Sequence, residues 1–283
     1  MENRAIPPRT PLDVEAAWTA FERRDRAADG RFVVAVKTTG IYCRPSCAAR
    51  RPRREHVTFY ADGASAGAAG FRACLRCLPD AVARDRRAVA EAITMIEMAQ
   101  EMPALSDLAE RVGYAPHHFH RLFRRATGVT PAAYARACRA ARTTEALSHD
   151  MSITRALYEA GYAGPSRFYA ASEQRLGMAP GQWRRGGGGV TIDWAVMPTP
   201  LGPLLIAATP RGLARIAFEA DGTALTAAFP AATIRAATAE TLHRLMQAVA
   251  EADLADPQLP EATRRTAFVE AVSCRWLASV TQS

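Results

Sequence analysis

Four of the chain's six cysteines stand in two tight pairs. Cys43 and Cys47 are separated by three residues in "GIYCRPSC", and Cys74 and Cys77 by two in "CLRC", with 26 residues between the pairs. Each close pair can chelate one metal ion through two thiolates, and two such pairs complete a tetrahedral four-sulfur shell. Zn2+ is the ion this spacing favours; an iron–sulfur cluster takes the same ligands. The thiols ionise to bind, so one Zn2+ per chain fixes thiolates at neutral pH and helps fold a small module. His56 is read as an ordinary strand residue, and the isolated Cys138 and Cys274 as inert.

Four thiolates on Zn2+ formally leave two negative charges in excess, beside "RRPRR" at Arg50–Arg54. An electron-rich sulfur is a nucleophile even when coordinated. The other reading is an inert structural site. The residues alone leave both open.

The elements that must position these sulfurs are short. Val14–Asp25 has helical spacing, with Ala17, Trp18 and Phe21 on one face. Arg31–Gly40 reads as a β-branched strand closed by a turn glycine, "HVTFYADG" as a second strand and turn, and "ASAGAAGFRAC" as a small-residue helix. The first cysteine pair then falls in a loop. From Arg86 to Trp183 the pattern is continuously helical. It holds an internal repeat: Phe119 and Phe168, Gly128 and Gly177, and Pro131 and Pro180 each recur 49 residues apart.

Each copy is a short helix, a glycine turn and a second helix, which is the helix-turn-helix pattern. Ser106 and Ser152 are the expected N-caps, and Gly113 and Gly161 the left-handed helix ends. In "PHHFHRLFRR" a buried stripe of Phe119, Leu122 and Phe123 turns His117, His118, Arg121 and Arg124 outward. In the second copy Ser166 and Arg167 face out, with Ala170 and Glu173. Two copies one turn of DNA apart enter successive major grooves without a dimer, so the expected state is a monomer on double-stranded DNA.

"RRGGGGV" reads as a linker. After it, "VTIDWAV", "PLLIAAT" and "LARIAFEA" read as short strands of an α/β unit. The expected domains are residues 1–85, 86–185 and 190–283, with 186–189 as linker, giving a multidomain α+β protein.

The net charge of +8 is unevenly placed. Residues 1–185 carry 29 Lys and Arg against 19 Asp and Glu, and residues 186–283 carry 7 against 9. The basic part can grip phosphates, although 35 of the 36 cations are Arg, as a GC-rich genome would also produce. No apolar run resembles a signal peptide or a membrane span, so a cytoplasmic, nucleoid-associated protein is expected.

The stretch "TTGIYCRPSCAARRPRREHVTFYADGASAGAAGFRACLRCLPD" (Thr38–Asp80) resembles the zinc domain of the Ada family, regulators that sense DNA alkylation. The helical repeat resembles that family's AraC-type double helix-turn-helix domain, and "TPLGPLLIAATPRGLARIAF" (Thr199–Phe218) the start of its methylated-DNA–protein-cysteine methyltransferase half. The resemblance implies that Cys43 accepts a methyl group from DNA methylphosphotriesters while Cys47, Cys74 and Cys77 remain zinc ligands. It also implies single turnover, promoter activation through RNA polymerase, and backbone contacts from Arg44, Arg50 and Arg53.

There are departures. Ala48 replaces an Arg of some relatives, and Ala115 a common capping Ser, with Pro116 compensating. The family's Pro-Cys-His-Arg acceptor motif is missing, and Cys274 has neither flank. Transfer from O6-methylguanine is therefore expected to be absent, and residues 190–283 are expected to form an incomplete α/β segment whose strands lack a partner to pack on.

Overall fold

The computed structural model describes residues 12–148, 175–218 and 221–280. The chain divides into two compact units, residues 1–88 and 89–283.

In the first unit, α1 (Val14–Glu22) starts at Asp13, whose carboxylate accepts the amides of Glu15 and Ala16. Four short strands follow: β1 (Val33–Val36), β2 (Ile41–Cys43), β3 (Val57–Tyr60) and β4 (Arg72–Ala73), in the order β3-β1-β2-β4. The run "VVAV" is buried on both faces because the strand alternation sends Val34 one way and Val33 and Ala35 the other. Val34 meets Ala17 and Phe21 of α1 and the edge-to-face pair Phe32–Phe59. Val33 and Ala35 meet Tyr42 and Ala66, the latter on α2 (Gly63–Ala68). Gly40 (φ 64°) closes the β1–β2 hairpin as expected.

Three details differ from the sequence reading. Cys43 ends a strand instead of lying in a loop, because β2 pairs with both β1 and β4. His56 closes a single helical turn, Arg54–His56, just ahead of β3. α3 (Pro79–Met98) begins before the texture change at Arg86, with Pro79 at its first position.

In the second unit, α4 (Leu105–Arg111), α5 (Pro116–Thr127) and α6 (Pro131–Ser148) precede α7 (Pro180–Arg184). A sheet of β5 (Thr191–Thr199), β6 (Gly202–Thr209), β7 (Gly212–Phe218) and β8 (Thr233–Ala236) runs in the order β7-β6-β5-β8. α8 (Gly222–Ala228), α9 (Ala239–Ala250) and α10 (Glu261–Val280) complete it. The strands do not lack cover. Leu205, Ala207 and Ile192 pack against Leu176, Met178, Trp183, Leu225 and Phe229. On the opposite face Leu204, Ile206 and Ala208 pack against Leu245, Phe268, Val272 and Trp276 of α9 and α10. At ~1.5–3 kcal/mol for each large side chain, the two layers give the sheet a core on both faces.

The glycine run is not a loose tether. Gly186 and Gly187 are buried, the Gly186 carbonyl accepts the Ala231 amide, and a Cβ on Gly187 would lie 2.9 Å from that of Ala232. Among the described residues no helix is long and apolar enough to cross a membrane.

Candidate metal centre and helix-turn-helix surface

The parallel pairing of β2 with β4 puts Tyr42 beside Ala73. The next residue on each strand is therefore a cysteine, and the Cys74 amide donates to the Tyr42 carbonyl at 2.9 Å. The chain turns after each: Cys47 amide to Arg44 carbonyl, 3.1 Å, and Leu78 amide to Cys74 carbonyl, 3.0 Å. Both knuckles thus hang from the same end of the sheet. The four Sγ atoms lie within 4.8 Å of one another, the four residues are 4–9% exposed, and all six cysteines are free thiols. Tetrahedral Zn2+ wants sulfurs about 2.3 Å away and hence about 3.8 Å apart. The four cysteines form a site for one Zn2+.

The protons crowded into this cluster report the same demand. The hydrogen bond from Cys43 pulls the Cys77 thiol down to about 5, whereas the same contact and burial push Cys43 far up. Burial pushes Cys47 up as well. Four adjacent thiolates repel, and only a cation among them lets all four ionise.

Backbone donors add to this. The Arg44 amide lies 3.5 Å from Cys77 Sγ, and Ala49 donates to Cys47. Two contacts hold the scaffold. Tyr42 donates its hydroxyl to Asp80 Oδ2 (2.7 Å), tying β2 to the first turn of α3, and burial with Asp80 pushes its pKa to about 12. Asp29 accepts from the Ser46 amide (2.9 Å) and hydroxyl (2.6 Å). Neither acid was singled out in the sequence. "DGR" reads as a turn signal, which marks a bend without saying that its carboxylate points inward.

Of the basic residues proposed near the site, Arg44 pairs with Asp29 at 3.5 Å, Arg50 is exposed, and Arg53 is exposed beside Glu55. Arg54 pairs with Glu15 and lies over the Trp18 ring, 5.2 Å from its centroid.

In the helical part, α4 ends at Arg111 and Gly113 takes φ 74°. α5 starts on Ala115 with Pro116 first and ends on left-handed Gly128. Ser106 is not the N-cap of α4. That place is taken by Ala104, and the Ser106 hydroxyl turns to Asp107, because the helix cap lies two residues earlier than the polar pattern suggested. Phe119, Leu122 and Phe123 are buried; His117, His118, Arg121 and Arg124 are exposed along the other side. Ser152, Gly161, Ser166, Arg167, Ala170 and Glu173 lie outside the described residues.

A four-thiolate zinc module in one unit and a helix-turn-helix with an exposed basic face in the next define a zinc-binding, DNA-binding protein. Residues 16–80 match the metal binding domain of Ada, residues 108–186 a helix-turn-helix domain, and residues 192–257 the ribonuclease-like domain of 6-O-methylguanine DNA methyltransferase. The regulatory protein Ada of Salmonella typhimurium is 40% identical over 266 residues, which cover 91% of this chain and 75% of its own. The bifunctional transcriptional activator/DNA repair enzyme Ada of Escherichia coli K12 is 38% identical over 273 residues, covering 93% and 77%. An NMR structure of E. coli Ada in complex with DNA is 45% identical, covering 48% of this chain and 100% of that one, with a TM-score of 0.36. The chain belongs to the Ada family.

Proposed function

We propose that this protein senses DNA alkylation: it takes a methyl group irreversibly from a DNA methylphosphotriester onto Cys43 and, so changed, activates transcription of alkylation-repair genes. The observation that carries the reading is a buried four-sulfur cluster set at the head of an Arg-rich loop, Arg44 and Arg50–Arg54. Bound Zn2+ supplies the charge that keeps the sulfurs ionised at neutral pH. Cys43 is the nucleophile. A triester is neutral, so an anionic sulfur approaches its methyl carbon without phosphate repulsion. The S–C bond forms as the C–O bond breaks, and the electron pair stays on the departing phosphodiester. The thioether left on Cys43 has no good leaving group, so each molecule reacts once. Cys47, Cys74 and Cys77 keep their place in the shell.

The switch is electrostatic. Methylating Cys43 removes one negative charge from a surface that faces a polyanion, worth ~1–3 kcal/mol or about 5–150-fold in affinity. Arg50 and Arg53 would hold backbone phosphates, with His117, His118, Arg121 and Arg124 of the first helix-turn-helix, and Ser166 and Arg167 of the second, at the promoter. The working form in this reading is a cytoplasmic monomer that recruits RNA polymerase. Residues 1–85 would accept methyl, 86–185 bind promoter DNA, and 190–283 form the methyltransferase-like part.

Cys274 is not a second acceptor in this reading. Cys274 lacks the Pro before it and the His-Arg after it, and its thiol sits against Glu270, pushed up by burial and by that carboxylate. Incubation with DNA bearing radiolabelled methylphosphotriesters, followed by peptide mass spectrometry, tests the whole reading. One methyl on Cys43 supports it. A zinc-loaded protein that takes up none is a regulator with a purely structural metal.

A further inference from the structure

We propose that Arg44 is a catalytic residue of the methyl transfer, stabilising the departing phosphodiester, and that Asp29 is the residue that positions it. This rests on the reading of Cys43 as acceptor.

Asp29 is 4% exposed, and its side chain holds the segment between Cys43 and Cys47 at three points: the Ser46 amide, the Ser46 hydroxyl and Arg44 Nη1 at 3.5 Å. A turn of this kind needs only a neutral acceptor such as Asn or Ser. A buried carboxylate is costly and implies a cation to be held, which here is the Arg44 guanidinium. Arg44 is the residue after Cys43. Its guanidinium is anchored at one corner, and its Nε–H is buried without a hydrogen-bond partner among the described residues. That donor is left for an acceptor from outside the chain to satisfy.

The chemistry supplies one. As Cys43 Sγ bonds to the methyl carbon and the C–O bond breaks, the sulfur's negative charge passes to the phosphate oxygens; no proton moves. The triester is neutral before the step and an anion after it. A guanidinium carried by the residue next to the nucleophile and held by Asp29 can reach the phosphate oxygens as their charge develops, and so binds the transition state better than the ground state, which is the condition for raising the rate as well as the affinity. Its planar fork suits two phosphate oxygens, which an ammonium does not match.

The test compares two methyl donors: methylphosphotriester DNA at saturation, and methyl iodide, whose leaving group is iodide and needs no guanidinium. With one Zn2+ per chain verified, R44Q should transfer from DNA ~10²–10³-fold more slowly while taking methyl from methyl iodide at the wild-type rate. R44K should recover part of the loss. D29N should be slowed less than R44Q, and the double variant should be no slower than R44Q alone, as expected if Asp29 acts through Arg44. An unchanged R44Q rate on DNA overturns the proposal, as does an equal slowing with both donors, which would make Arg44 a support of the cluster. Wild-type protein that reacts with methyl iodide but takes nothing from DNA sinks the acceptor reading itself.

Discussion

Arg175 and Glu270, 95 residues apart, form a two-pronged ion pair at 2.8 and 2.9 Å around a carboxylate that is 1% exposed. Arg136 of α6 adds a third contact at 3.4 Å, so one acid on α10 fastens α10 to α6 and to the approach to α7. Removing the acid takes the two-pronged partner from a mostly buried guanidinium. Glu270→Ala should cost about 3–5 kcal/mol, seen as a lower urea midpoint. Glu270→Leu combined with Arg175→Met should recover most of that, because both buried charges are then gone and the remaining Arg136 is half-exposed to water.

The packed glycines give a second measurement. Gly187 and Gly189 both have positive φ, 79° and 74°. A Cβ on Gly187 would collide with Ala232, whereas one on Gly189 meets nothing within 4 Å. Gly189→Ala should cost only the backbone strain, ~1–2 kcal/mol. Gly187→Ala should cost a further ~1–3 kcal/mol for overpacking. Equal, small losses at both positions would restore the linker reading.

What the sequence displayed, and what it hid, follows from the range of each signal. The cysteine pairs and the Phe119, Leu122, Phe123 stripe are local patterns, so the metal shell and the outward face of α5 were legible. β2 and β4 are three and two residues long. Nothing local marks such strands, and the parallel pairing that aligns Cys43 with Cys74 is a long-range fact. Asp29 and Ser46 meet for the same reason. The cover over the sheet left a trace that was underread. "PLLIAA" in β6 is apolar at every position rather than alternating, as a strand buried on both faces must be. Four consecutive glycines suggested freedom, yet glycine also permits close approach, and here Phe229 and Ala232 use it.

Cys138 should be sluggish toward thiol reagents. Burial, and after it the Glu97 carboxylate, push its thiol up to about 11. At pH 7.5 almost no thiolate is present, and the rate of carbamidomethylation should rise about tenfold per pH unit until the pKa is passed. The linkage sign agrees. A raised pKa favours the protonated fold, so this contribution to stability is intact below the ordinary value of 9.0 and fades as pH rises through 11. Peptide mapping after timed alkylation reads the rates, and fast labelling of Cys138 at neutral pH would contradict the burial.

Metal removal should separate the two units. The zinc module has a thin core: its helices are short, its strands two to four residues long, and the four cysteines form a buried cluster of their own. Zn2+ in such modules contributes ~10–16 kcal/mol of binding free energy that is also folding free energy. Chelation at neutral pH should therefore unfold residues 14–78 while leaving amide protection in α10 and β6, whose cores contain no cysteine ligand. Cys47→Ala, Cys74→Ala and Cys77→Ala should all lose the metal and the module together. Cys43→Ala differs, because Cys43 is the one of the four that lies within a strand, paired with Val34, so its backbone stays placed while three sulfurs and a water complete a tetrahedron. It should keep one Zn2+ at lower affinity, keep the protection of β1 and β3, and take up no methyl. Hydrogen exchange with metal titration reads all four variants, and a Cys43→Ala protein that unfolds like the others would assign Cys43 to the structure alone.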